Sequence, residues 1–240
     1  MVSRLFSTIL LSLSVTFAAA QGTLMYQQDA GADLPIYRGR LMTEYRTLFN
    51  GTPYWDNGGF QSGTVAYAGK TYYDVLLNVD AARQALYVHY GNSYLPWDLG
   101  RQQVEWFTFR GHKFVNLRDF GYPDAPEGFL ETLYEGKECV YRQILKVYLE
   151  SVDHNRYYRI GYEDPDFNES LLGFYEHREY YWYKDADGNL QKFRSRKFFL
   201  KKHPAQRKAL KRQIKQARWD TLPMDKYCTE VMLFIENSGL

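Results

Sequence analysis

Between Gly63 and Phe193 apolar and polar positions alternate with a period near two, broken at intervals by Gly, Asp and Asn, and that period sends successive side chains to opposite faces of a strand. TVAY, then Ala68-Gly69, then KTYYDVLLNVD predicts a tight hairpin whose second strand carries Tyr73, Val75, Leu77 and Val79 on one face. ALYVHY follows, with Leu86, Val88 and Tyr90 alternating against Tyr87 and His89. VEWFTFR and KFVNL flank Gly111-His112 as a second hairpin, with Phe107 and Phe109 on one side and Val104 and Trp106 on the other. GYPDAPEGFLETLYEG, interrupted by two prolines, predicts a bridge with a short helical turn over Gly128 to Leu133. ECVYRQILKVYLES reads as a long strand with Cys139, Tyr141, Leu145, Val147 and Leu149 on one face. HREYYWYKD and LQKFRS then flank a hairpin turn, Asp185-Ala186-Asp187-Gly188.

Both faces of several strands are apolar, which a sheet covered on one side only would not show. The expected class is therefore α+β: a predominantly antiparallel meander forming a sandwich, roll or partly open barrel, with C-terminal helices from about residue 196. Ser195 is placed to cap RKFFLKKH, and Pro204 suits the first turn of AQRKALKRQIKQAR. In the second of these, Leu210, Ile214 and Ala217 form a narrow apolar stripe on a basic surface. Asp225 is placed to cap a last helix that lines up Cys228, Val231 and Ile235 and is widened by Met232 and Phe234, so this helix is expected to be buried.

Ahead of the sheet the pattern changes. Arg4, an apolar run from Leu5 to Phe17 and Ala18-Ala19-Ala20 before Gln21 make the three regions of a cleavable secretory signal peptide. Ser and Thr interrupt the run, which is shorter than a membrane span requires, and no later segment is long and apolar enough to cross a bilayer. The division expected is residues 1–20 as signal peptide, 21–35 as a polar mobile leader, and 36–240 as one β-rich domain ending in helices. Export implies the periplasm or outer surface.

Composition adds two things. The 22 Tyr and 15 Phe favour pleated, half-buried surfaces and argue against disorder. The net charge of +2 is unremarkable, but its distribution is not: no Asp or Glu lies between Asp187 and Asp220, an interval holding twelve Lys and Arg. Such polarity suits docking on something anionic, while a solvated helix face balanced by the acidic remainder is the competing reading. The candidate basic surface is Arg207, Lys208, Lys211, Arg212 and Lys215, and export argues against nucleic acid as its partner.

Short catalytic motifs are absent: there is no GxSxG, HExxH, P-loop, GxGxxG after a strand, or CxxC. Scattered carboxylates such as Asp74, Asp153, Glu163 and Glu179 leave a hydrolase of an envelope or dietary polymer as an alternative, since two carboxylates from distant strands can meet in a fold. Asp185, Asp187 and Asn189 around Gly188 lack calcium-loop spacing, and no His pair has ligand spacing, so neither a metal nor a cofactor is expected. For ligand contact the candidates are aromatic: Tyr180 and Trp182, which share a strand face opposite Tyr181 and Tyr183, together with Trp55 and Trp97. An oxidising compartment would let Cys139 and Cys228 pair; two buried thiols are the other reading, and both stay open. Asn50-Gly51-Thr52 and Asn168-Glu169-Ser170 fit the glycosylation sequon.

The order NGTPYW, SGTVAYAGKTYYDVLLNVDAARQALYV, VEWFTFRGHKFV, EGFLETLYEG and SRKFFL resembles a family of uncharacterised exported proteins of Gram-negative bacteria. The likeness implies a bacterial envelope setting, which would leave the sequons idle, and it carries over no functional residue. The leading expectation is a non-enzymatic binding or structural module for an envelope protein, glycan or surface.

Overall fold

The computed structural model describes residues 26–238 apart from 28, 46–49, 57–58, 92 and 151–172. Eleven strands are present among them: β1 Arg40–Leu41, β2 Gln61–Tyr67, β3 Lys70–Asp80, β4 Ala85–His89, β5 Trp97–Asp98, β6 Val104–Phe109, β7 His112–Val115, β8 Leu130–Glu135, β9 Cys139–Glu150, β10 Gly173–Lys184 and β11 Leu190–Phe193. They form one sheet in the order β1-β5-β4-β3-β2-β6-β7-β8-β9-β10-β11, with every neighbouring pair antiparallel. Three helices follow: α1 Lys197–Lys202, α2 Arg207–Gln216 and α3 Met224–Ser238. The expected α+β class with an antiparallel meander and C-terminal helices is what the chain adopts. The stretch read as a helical turn near Gly128 is instead the entry to β8, where Leu130 is fully buried and pairs with Val115.

The sheet curls without closing. Lys146 N–H on β9 donates to Ala81 O in the β3–β4 turn at 3.2 Å, and Gln84 Nε2 bridges Ala81 O and Ile144 O at 2.8 and 3.0 Å. The segment before β2 fastens the same seam: Asn50 N–H donates to Gly173 O at 2.9 Å, and Trp55 N–H donates to Val79 O at 2.9 Å. Asp80 anchors this corner, its buried carboxylate accepting from Ala82 N–H at 2.9 Å, Arg83 N–H at 2.8 Å, Tyr45 Oη at 2.6 Å and Tyr87 Oη at 3.0 Å. Burial first, then the Asp80 hydrogen bond, raises the Tyr45 pKa well above its ordinary value. Four donors on one carboxylate satisfy it fully, which is the condition for burying it without loss.

The concave side holds the first core, from Ile36, Val65, Leu77, Leu86, Phe107 and Phe114 among others, with the Phe107 and Phe114 rings stacked at 4.7 Å. Packing begins before Ile36, since Leu34 is buried there and the Gln27 side chain both donates to and accepts from the Tyr73 backbone at 3.0 Å. Two breaks in register explain where alternation misleads. Asp74 lies at φ 55° opposite a shift between Gly63 and Val65, so Tyr72 rather than Tyr73 joins Val75, Leu77 and Val79 in the core. A second shift between Ala66 and Tyr67 brings Val104 into the same core as Phe107.

The helices cover one face of β8–β11. Tyr181, Tyr183, Val140 and Phe193 meet Phe199, Leu210, Trp219, Tyr227, Val231 and Met232 in a second core. Ala217, expected in the apolar stripe of α2, lies beyond its end and is exposed; Leu210 is buried and Ile214 half-buried. Asp225 falls in the first turn of α3, behind Pro223 and Met224, and its carboxylate is turned to Arg142 rather than to the helix end. Ser195 Oγ does accept from Lys197 N–H, at 3.2 Å, at the start of α1.

Cys139 and Cys228 are both buried free thiols, so the pairing considered from the sequence is not made. The sheet itself separates them. Cys139 packs with Leu117, Leu130 and Tyr141 on one face of β9, whereas Cys228 belongs to the buried side of α3, which packs with Val140 on the other.

Candidate functional site

The basic surface expected from the sequence is built by α2. Residues one, four, five and eight positions after Arg207 project over less than half of the helix circumference, and i, i+4 neighbours lie about 6 Å apart along the axis. Leu210 points inward and fixes that orientation, leaving Arg207, Lys208, Lys211, Arg212 and Lys215 all exposed. Among the described residues, Lys202 is the single member of the twelve-residue basic run that makes an ion pair, to Asp185 at 3.3 Å. Arg196 is held by the carbonyls of Trp219 at 3.1 Å, Asp220 at 2.6 Å and Leu222, and stacks over Tyr227. Among the described residues, no Asp or Glu pairs with a cation of α2. Its outer face also carries no exposed side chain more apolar than Ala, so it has nothing to insert into a bilayer.

The four aromatic candidates are not brought together. Trp55 packs on the first core, its ring 5.5 Å from Phe114 and 4.9 Å from His112, and Trp97 packs there beside Tyr37 at 5.9 Å. Tyr180 and Trp182 share a face of β10, and Lys192 of β11 lies over both rings, 3.7 Å from the first and 5.6 Å from the second. Trp182 is half-buried against the cluster of Leu117, Leu130 and Tyr141, and its Nε1 is buried without a hydrogen-bond partner among the described residues. Tyr181 and Tyr183 point the other way, under the helices.

Of the four carboxylates considered for hydrolysis, Asp153 and Glu163 lie outside the described residues, as do residues 1–20, expected as a signal peptide, and the Asn168 sequon. Asp74 on β3 accepts from Ser62, and Glu179 on β10 belongs to a different group, so these two share no partner. The other sequon Asn, Asn50, is buried. Among the described residues no group of three or more His, Cys, Asp or Glu is placed to hold a metal ion, and no helix is long and apolar enough to cross a membrane.

Glu179 is part of an ion cluster that the sequence pattern did not announce. Arg142 Nη1 reaches Glu179 Oε1 at 3.2 Å and Asp225 Oδ2 at 3.3 Å, while Nε donates to Glu131 Oε2 at 2.8 Å. His112 Nδ1 lies 2.7 Å from the other Glu131 oxygen, and His177 Nε2 lies 3.0 Å from Glu179. Burial works against the Arg142 cation, and Glu131 beside it more than restores it, so its pKa is raised. Glu179 is pulled down to about 2, first by His177 and then by Tyr181 and Arg142 against the cost of burial. The cluster ties β8, β9 and β10 to the first turn of α3.

Comparison with known proteins adds no relative: no family model matches the chain, and neither a curated protein nor a solved structure matches it.

Proposed function

We propose that this protein is a non-enzymatic binding module of the bacterial envelope that docks on an anionic glycan through α2. One observation carries the reading: Arg207, Lys208, Lys211, Arg212 and Lys215 are all exposed and none has an ion-pair partner among the described residues. Unpaired like charges on one helix face repel one another, a cost that a counter-charged partner removes. The lack of apolar side chains on that face favours a hydrated polyanion over a lipid bilayer. The envelope location rests on the signal-peptide pattern of residues 1–20 and on the likeness to exported proteins.

The test is retention of the purified protein on immobilised polygalacturonate across a salt series, with phosphatidylglycerol vesicles as the second arm. The expected result is retention at about 0.05 M salt that is lost by about 0.5 M. The triple variant K208E/K211E/K215E is expected to lose at least about tenfold in affinity with an unchanged melting temperature. Absence of retention at low salt, or undiminished binding by the triple variant, overturns the reading; equal binding to vesicles overturns the choice of glycan.

A further inference from the structure

A pocket of about 470 Å³ opens where the last turn of α3 meets the β8–β9 turn, the β10–β11 hairpin and the α1–α2 connection. Its lining combines Tyr134, Glu138, His203, Met232, Ile235 and Glu236. Met232 and Ile235 are buried and supply an apolar wall. The Tyr134 hydroxyl donates to Glu236 Oε2, which fixes that carboxylate at the rim. His203 Nε2 lies 3.4 Å from Glu138 Oε2, buried and without a hydrogen bond.

The electrostatics of this pocket are unbalanced in one direction. Glu236 sits in the last turn of α3, a 15-residue helix with no basic residue there, although the carbonyl end of a helix favours a cation. Lys137 is the sole Lys or Arg in the lining, against two carboxylates. Burial, and Lys202 nearby, hold His203 below its ordinary pKa against the pull of Glu138, so the imidazole adds no positive charge at neutral pH. A carboxylate at the carbonyl end of a helix, in a pocket with a second carboxylate and an apolar wall, breaks a local rule that the neutral Tyr134 hydroxyl and the single Lys137 offset only in part.

We propose that this pocket binds a small organic ammonium ion, with its nitrogen between Glu138 and Glu236 and its hydrocarbon body against Met232 and Ile235. The inference is independent of the glycan reading, because none of the five basic residues of α2 lines the pocket.

Calorimetric titration of the full chain with 2-phenylethylamine and with its neutral analogue 2-phenylethanol tests it, the Met232 methyl resonance reporting the place of binding. The amine is expected to bind saturably at one site and to shift Met232, with the alcohol at least about tenfold weaker. Glu236→Gln, which keeps an acceptor for Tyr134, and Glu138→Gln are each expected to weaken the amine at least about fivefold. No saturable binding at about 5 mM amine, equal binding of amine and alcohol, or unchanged affinity in both variants overturns the proposal.

Discussion

Arg142 on β9 holds Glu131 on β8 through two nitrogens, Nε at 2.8 Å and Nη2 at 2.7 Å, with the Glu131 side chain only 3% exposed. The two residues are partners in the strand register, so the pair is set by the ladder itself. Removing one member leaves a buried charge without its counterpart. Arg142→Met is therefore expected to lower stability by about 3–5 kcal/mol in urea denaturation, and the double variant with Glu131→Leu to recover at least half of the loss. A single variant as stable as the parent would show that water reaches Glu131.

Glu179 makes stability depend on acid. Its carboxyl is held at about 2 in the folded chain, below the ordinary 4.5, so the folded state binds fewer protons than the unfolded one in that window. Stability from this group is complete above pH 4.5 and is lost as pH falls from 4.5 toward 2. After discounting for its partial exposure the loss is about 1–2 kcal/mol. Glu179→Gln should flatten the stability profile between those limits relative to the parent, measured by denaturant midpoints at each pH.

Both thiols should be silent in the native protein. Burial pushes the Cys228 thiol up to about 12, and the Cys139 side chain is closed off by the core around it, so a bulky reagent reaches neither sulfur. Ellman's reagent is expected to find no reactive thiol at pH 8 in buffer and two in guanidinium, with no mass change on reduction. One or more fast-reacting thiols in buffer would contradict the burial seen here.

Gly63 sits at the register shift that re-aims β3. A methyl group there would meet the Thr108 carbonyl oxygen and the Leu77 side chain, and the backbone atom cannot swing aside. Gly63→Ala is expected to cost about 2–4 kcal/mol in thermal or chemical unfolding, more than a surface Gly→Ala change such as Gly59→Ala, where nothing lies within contact.

Much of this architecture was legible in the residues. The hairpins at Ala68-Gly69, Gly111 and Asp185–Gly188 stand where turn chemistry puts them, and both Gly69 and Gly188 have positive φ. What the pattern misplaced lies at its interruptions: a period-two reading has no means of seeing the shift at Gly63/Val65, so it assigned Tyr73 to the core in place of Tyr72. The basic face of α2 was also readable, because helical spacing alone gathers its five cations. The Arg142 cluster and the Glu138–His203–Glu236 pocket were not. Their members come from positions as far apart as 112 and 225, or 138 and 236, on elements that only the closed packing of α3 on the sheet brings together.

Among the described residues the eleven-stranded sheet ends at β1 on one side and β11 on the other, and sheet borders are where one molecule can add itself to another. Here β1 is two residues long with Arg40 on it, and β11 is four residues long with Lys192 on it. So little exposed ladder, guarded at each end by a cation, makes end-to-end growth of sheets between molecules unfavourable. Short border strands that each carry a cation thus do for an open sheet what closure into a ring does for a barrel.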